Sequence, residues 1–553
     1  MGKFTLKLSV LFVLFYNLSF AQNQTTSSER PSTLAELLSL NDAPIKCGLP
    51  AFAHLLHINK DRKDEILAQT SRSTLPHSYV TPSGRFRLHY TLTGVNKIPA
   101  EITNNAGVPD WVYEAGLAAE HAHALLVDTL GFSPPPADNN IDGPEYDIYF
   151  KNLSLYYGLT YPDEIGGKAH PYLEVENDFS EGFFTEGLDA VRVTVAHEYF
   201  HAVHFAYAIR LDEFDEIFFY EMSSTWFEDR AYDEINDYYG YLSYFFNNPE
   251  LPPFELPERV SPVDTRIYAI AIFFKYWFKN RDDIGLTRMW DNFRNMRGLE
   301  ALETEINAQG KTFASALAEF YGWCLYTGFR AEPEKYFEEG GNYPMIKVID
   351  TLQITQRSAV SAKTNALSAQ YVKLNLTEGM VFTSIIENGP ADGRIAVAGE
   401  KITGKLWDLS SGTSFKLGSS FNEGGALMAI VNGKIPQSQG QPYDTDDLRV
   451  VLNIKETDDD VTKFSLAPNP FKPGGAVETV AINYEAPNSG PVEIKIFSET
   501  GRLVWKKDTS NLFVETWSGR DLDGNFVPSG VYFVVVPEKN KNGSKVLKLA
   551  VVR

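Results

Sequence analysis

The sequence predicts an α+β domain followed by two all-β sandwiches. Strand-like alternation upstream gives way to a long helical, aromatic stretch at about 190–335. Two later stretches, about 345–456 and 462–553, alternate with period two and carry Gly, Asn and Pro at their turns. Length agrees: 553 residues exceed what one core holds, so two to four domains are expected.

The formal net charge is −22, a surface that repels phosphate backbones and argues against a nucleic-acid partner. Residues 1–21 read as a secretory signal peptide. Lys3 and Lys7 precede the apolar run Leu8–Phe15, and Ser19-Phe20-Ala21 forms a small-x-small cleavage pattern. No other apolar run is long enough to span a bilayer, so no transmembrane segment is expected in the mature chain. The two cysteines, Cys47 and Cys324, suit either one disulfide or two free buried thiols. Two are too few for a thiolate zinc site, so His and carboxylates are the expected metal ligands.

Residues 22–84 read as a leader followed by an N-terminal arm or a removable propeptide. The α+β domain is expected over 85–340. Arg85–Leu92 alternates as a strand, and Trp111–Leu130 has a helical period that Ser133-Pro134-Pro135-Pro136 ends. Tyr146–Phe150 and Tyr172–Glu176 read as strands, and Ile267–Trp277 as a buried helix. Asp138–Gly143 lacks the spaced ligands of a calcium loop and reads as a solvated turn.

The chemistry concentrates in His197-Glu198-Tyr199-Phe200-His201. On a helix, residues four apart lie one above the other, so two imidazoles project toward one point, as a tetrahedral zinc ion requires. Glu198 projects beside that point without ligating, where its carboxylate can accept a proton from a water that the metal activates. A Gly and then a third His would mark another class, but His204 and Tyr207 stand at those two positions. Glu221, separated from His201 by nineteen residues and set among Phe219, Tyr220 and Trp226, is the expected third ligand. Glu213, Glu216, Glu228 and Asp229 are its rivals, each read as solvated helix charge. His204 shares the ligand face but reads as packed or solvated, outside the site.

Two histidines and a glutamate at this spacing resemble the gluzincins, the thermolysin-like arrangement. Thr194–Phe205, Tyr146-Asp147-Ile148-Tyr149 and Tyr157-Gly158-Leu159-Thr160 resemble a group of large secreted bacterial metalloproteases, over roughly 85–335. The resemblance implies a zincin-like domain: a sheet whose edge strand borders the cleft, a zinc helix and a helical lower half. By that analogy Tyr172–Glu176 is the edge strand that pairs with an extended substrate. The thermolysin pattern has Asp four residues after the ligand Glu, whereas Thr225 stands here, so the support of the histidines must differ. Tyr268 is the candidate for steadying the oxyanion, with core packing as its other reading.

Ala467-Pro468-Asn469-Pro470-Phe471, Val492–Phe497, Gly501–Val504, Trp517–Asp521 and Val527–Phe533 follow in order through 464–553. They resemble the Ig-like domain related to flagellar hook-capping protein and used as a type IX secretion sorting domain. That resemblance implies an outer-membrane secretion machinery as partner, and a secreted or surface location on a Gram-negative bacterium. The expected function is a zinc metallopeptidase acting on peptide or protein substrates. The alternatives are a non-catalytic zinc-holding adhesion protein and a hydrolase of a non-peptide ester or amide.

Overall fold

The computed structural model describes residues 31–38, 44–67, 72–137, 140–162, 170–180, 182–211, 213–255, 264–353, 357–375, 381–388, 392–399, 407–410, 414–416, 426–436, 445–455, 465–474, 479–484, 492–509, 514–537 and 544–553. The expected signal peptide, most of the leader, Asp138, Asn139 and the acidic linker at 456–460 lie outside these residues.

The N-terminal part runs α1 (Leu34–Leu38), β1 (Ile45–Cys47), α2 (Leu49–Ile58), α3 (Lys63–Leu67), β2 (His77–Val80), β3 (Phe86–Tyr90), α4 (Asp110–His123), β4 (Tyr146–Lys151), β5 (Tyr156–Tyr161) and β6 (Tyr172–Glu176). Its strands form one six-stranded sheet in the order β1-β5-β6-β4-β3-β2. β5–β6 and β2–β3 are antiparallel, and the other pairs are parallel. Two expectations change here. Tyr172–Glu176 is not an edge strand, because it lies between β5 and β4, and the five residues are all buried. The sheet also starts upstream of residue 85, since β1 pairs Ile45 with Tyr156 and Cys47 with Gly158 along the outer side of β5.

The helical part continues with α5 (Gly187–His204), α6 (Ile217–Ala231), α7 (Tyr239–Asn247), α8 (Arg266–Ala269), α9 (Ala271–Phe278), α10 (Ile284–Phe293), α11 (Gly298–Ala308) and α12 (Phe313–Trp323). The apolar run expected as one helix over 267–277 is interrupted at Ile270. α5 lies against β5, β6, α4 and α6. It is buried continuously from Val193 to His204, and α6 from Ile217 to Asp229. A helix buried all round is apolar all round by default. The polar residues at Thr194, His197, Glu198, His201 and Glu221 therefore need partners.

Beyond these helices lie β7 (Asp350–Gln353), β8 (Arg357–Asn365), β9 (Ala369–Asn375), β10 (Val381–Asn388), β11 (Gly393–Gly399), β12 (Trp407–Ser410), β13 (Ser414–Lys416), β14 (Ala426–Asn432) and β15 (Thr445–Lys455). They form two sheets, β13-β10-β15-β8 and β12-β11-β14-β9-β7. The second sheet packs one face on the helices, while Val372, Leu374, Ile395, Met428 and Ile430 on its strands are buried outside the helical cluster. α12 packs on β11 and β14, and Leu367, Tyr371, Leu427 and Val431 belong to the same apolar cluster as the helices. Tyr321 Oη donates to Leu367 O (2.9 Å) and Tyr371 Oη to Tyr321 O (2.9 Å) across this junction.

The C-terminal part has β16 (Ser465–Ala467), β17 (Val480–Asn483), β18 (Val492–Ser498), β19 (Leu503–Thr509), β20 (Val514–Trp517), β21 (Gly530–Pro537) and β22 (Ser544–Val551). Its sheets, β16-β17-β20 and β19-β18-β21-β22, enclose a separate core of Phe471, Ile482, Ile496, Trp517, Val534 and Leu549 among others. Among the described residues no helix is long and apolar enough to cross a membrane.

The contact between α5 and β5 sets the position of the site. A Cβ at Gly158 would stand 2.7 Å from Glu198 Cγ and 2.8 Å from Thr194 Cγ2. Gly158→Ala is therefore expected to destabilise the chain by about 1–3 kcal/mol through overpacking. Calorimetry should read this as a lower Tm.

Candidate metal centre

His197 and His201 lie one turn apart on α5, with Nε2 atoms 3.0 Å from each other. Glu221 arrives from α6. Its Oε2 is 3.3 Å from His197 Nε2 and its Oε1 is 3.3 Å from His201 Nε2. A fourth donor comes from β1, where Cys47 Sγ lies 3.5 Å from His201 Nε2. All four ligand atoms fall within 4.8 Å of one another. Zinc–ligand bonds of about 2.0–2.3 Å at tetrahedral angles set ligand atoms roughly 3.3–3.6 Å apart, and the contacts of 3.3, 3.3 and 3.5 Å match this while the two Nε2 atoms are closer, at 3.0 Å. The expectation that only His and carboxylates would gather here is corrected, because one thiol joins them. Both cysteines are free and buried.

The proton positions favour a cation at this point. His197 Nδ1 faces Glu228 Oε1 at 2.6 Å, so it carries the proton and leaves a bare lone pair on Nε2. His201 Nδ1 faces the Ser224 hydroxyl at 3.3 Å, and the same assignment leaves its Nε2 bare. Burial depresses both imidazoles to about 3, so their approach to Glu221 is not an ion pair. Neither Glu221 oxygen has a hydrogen-bond partner, although the residue is fully buried. Bare lone pairs facing a buried carboxylate are costly unless a cation lies between them.

Glu228 supplies the support that Thr225 cannot. It follows Glu221 by two helical turns on α6, and Lys46 Nζ holds its Oε2 at 2.8 Å. Lys46 also binds Asp237 Oδ2 at 2.6 Å, which makes a buried chain Asp237–Lys46–Glu228–His197. Burial would lower the Lys46 pKa, but Asp237 and Glu228 outweigh it and hold the ammonium charged. The reading of the rival acids as solvated is corrected too. Glu216, Glu228 and Asp229 are all buried. Glu216 accepts from Gly298 N at the start of α11 (2.6 Å), and Asp229 pairs with Lys275. Glu213 is half-buried.

Glu198 is held by Thr160 of β5, whose hydroxyl lies 2.8 Å from Oε2 and 2.7 Å from the Glu198 carbonyl oxygen. Glu198 Oε1 has no hydrogen-bond partner. Burial, and then the charge of Glu221, push its carboxyl up to about 8. Burial, followed by the charges of Glu198 and Glu221, raises the Cys47 thiol well above the usual range. Tyr268 is buried with no hydrogen-bond partner on its hydroxyl. Burial first, then the charges of Glu221 and Cys47, keep that phenol protonated, so it neighbours the cluster. His204 is fully buried and stacks on Trp290 at 3.8 Å, and neither ring nitrogen has a partner.

No family model and no curated protein matches the chain. Solved structures resemble parts of it weakly. PorZ of Porphyromonas gingivalis, described as an essential surface component of the type-IX secretion system, aligns at 20% identity and TM-score 0.16. That alignment covers 28% of this chain and 22% of PorZ. Salmonella Typhimurium PliG, a periplasmic lysozyme inhibitor, aligns at 14% identity over 19% of this chain and 98% of its own, TM-score 0.16. A Faecalibacterium prausnitzii β-glucuronidase aligns at 12% identity over 33% of this chain and 36% of its own, TM-score 0.12. Scores at this level assign neither fold nor activity.

Glu228→Gln keeps the shape of the side chain but removes the charge behind His197. Zinc affinity is expected to fall about 10–100-fold, read by competition with a chelating dye. Thr225→Val removes a buried hydroxyl that has no hydrogen-bond partner, and should leave that affinity unchanged.

Proposed function

We propose that this chain is a zinc-dependent peptidase of the gluzincin type. The observation that carries the reading is the convergence of His197, His201 and Glu221 at tetrahedral ligand spacing, with the Glu198 carboxylate beside them. His197, His201 and Glu221 would hold the ion. A bound zinc ion would supply Lewis acidity that polarises a carbonyl and activates water near neutral pH. Glu198 accepts the water's proton at Oε1, the oxygen that Thr160 leaves free, and returns it to the leaving amine. Glu228 keeps the His197 proton on Nδ1 and its Nε2 lone pair free for the metal. Tyr268 donates a hydrogen bond to the developing oxyanion.

Peptides are the favoured substrate class because β5, the strand that touches Glu198, lies next to the sheet edge. An extended chain could pair with β5 in the place that β1 takes in this structure. Export through a type IX secretion machinery, to a secreted or surface location, is part of the same proposal and rests on the two terminal sequence patterns. One observation favours the alternative, a zinc-holding protein without activity: a fourth protein donor, Cys47, stands at the ligand cluster, and closed four-ligand sets are typical of structural zinc.

Metal analysis and casein digestion, each with and without chelator, test the reading. Glu198→Gln should bind zinc like the wild type and hydrolyse about 10²–10⁴-fold more slowly, the share a general base supplies. An active Glu198→Gln enzyme would sink the assignment.

A further inference from the structure

Resting on that peptidase reading, we infer that Cys47 is a displaceable fourth metal ligand. Through it, residues 44–67 act as a built-in inhibitor that holds the site latent.

Geometry is the first ground. Cys47 Sγ lies at ligand spacing from His201, and the Leu49 N–H donates to the same sulfur at 3.3 Å, a contact suited to a metal-bound thiolate. His197, His201, Glu198 and Glu221 are each at most 1% exposed. A substrate cannot reach them until something moves.

What covers them is a segment with few ties to the sheet. β1 is three residues long, and next to it Ile45 N donates to Leu155 O (2.7 Å) and Gly48 N to Gly158 O (2.9 Å). It takes the outer side of β5, where an extended peptide would add. β1 runs parallel to β5 and presents a thiol to Glu198, where a substrate would present a peptide bond. α2 then buries Phe52 and Leu56 behind it. This segment precedes β2 at the far edge of the sheet, so a cut between Leu67 and His77 would free it and leave β2 to β6 joined.

A purely structural site would not require Glu198. Its buried Oε1 has no hydrogen-bond partner, a cost that a part in hydrolysis would explain. On release, Cys47 would take up a proton, and water would fill the place its sulfur leaves.

The test uses the full chain loaded with Co²⁺, with Cys47→Ala beside it. A second version carries a site-specific protease sequence between Leu67 and His77 and is cut after folding. The wild type should show a thiolate-to-cobalt charge-transfer band. Cys47→Ala should lose the band while retaining one equivalent of metal. Cutting the zinc-loaded protein should remove the covering segment and raise casein hydrolysis about tenfold or more, as the competent fraction rises. A synthetic peptide of residues 44–67 should restore inhibition, and its Cys47→Ser form should do so at least about tenfold more weakly. Metal binding without the band in the wild type would overturn the inference and leave the peptidase reading standing. So would an uncut chain as active as the cut one. A band that survives cutting, with no activity, would overturn both in favour of a structural site. Failure to bind any metal would overturn the reading on which the inference rests.

Discussion

Two imidazole nitrogens and a carboxylate meet at one fully buried point. Much of the surrounding structure answers that constraint. α5 and α6 are buried all round, so they cannot leave polar groups to solvent and must satisfy them internally. Glu228 fixes the His197 proton on the far nitrogen, Ser224 faces the far nitrogen of His201, and Thr160 fixes Glu198. Gly158 is bare because Glu198 and Thr194 occupy the space a side chain would need.

Charge accounting points the same way. Glu198, Glu221, Glu228 and Asp237 are all buried around the site, with Lys46 as the cation among them. A buried cluster with such an excess of carboxylate is costly, and neutralising some of it by protonation is one answer. A divalent cation is another, and it also uses the imidazole lone pairs. The raised carboxyl of Glu198 belongs to this balance: burial and the Glu221 charge make the group reluctant to ionise.

The two β parts relate to the helices differently. One middle sheet, β12-β11-β14-β9-β7, joins the helical core through α12. The C-terminal sandwich keeps its own core around Trp517, in keeping with a module that acts in its own right.

What was legible in the sequence was local. The i, i+4 histidines and the glutamate between them follow from helical periodicity alone, and Glu221 was found because aromatic neighbours implied its burial. The β character of the last two hundred residues could be read from alternation and turns. Other features depend on approaches between distant segments, which no local pattern encodes. Cys47 reaches His201 across 154 residues and Lys46 reaches Asp237 across 191. Glu228 looked like surface charge because nothing near it in the chain reveals the lysine that holds it. Tyr172–Glu176 looked like an edge because strand order is set by chain crossovers and not by composition. The residues able to do the chemistry were written in a short helical motif, whereas the thiol that closes the site was decided only where β1 comes to lie beside β5.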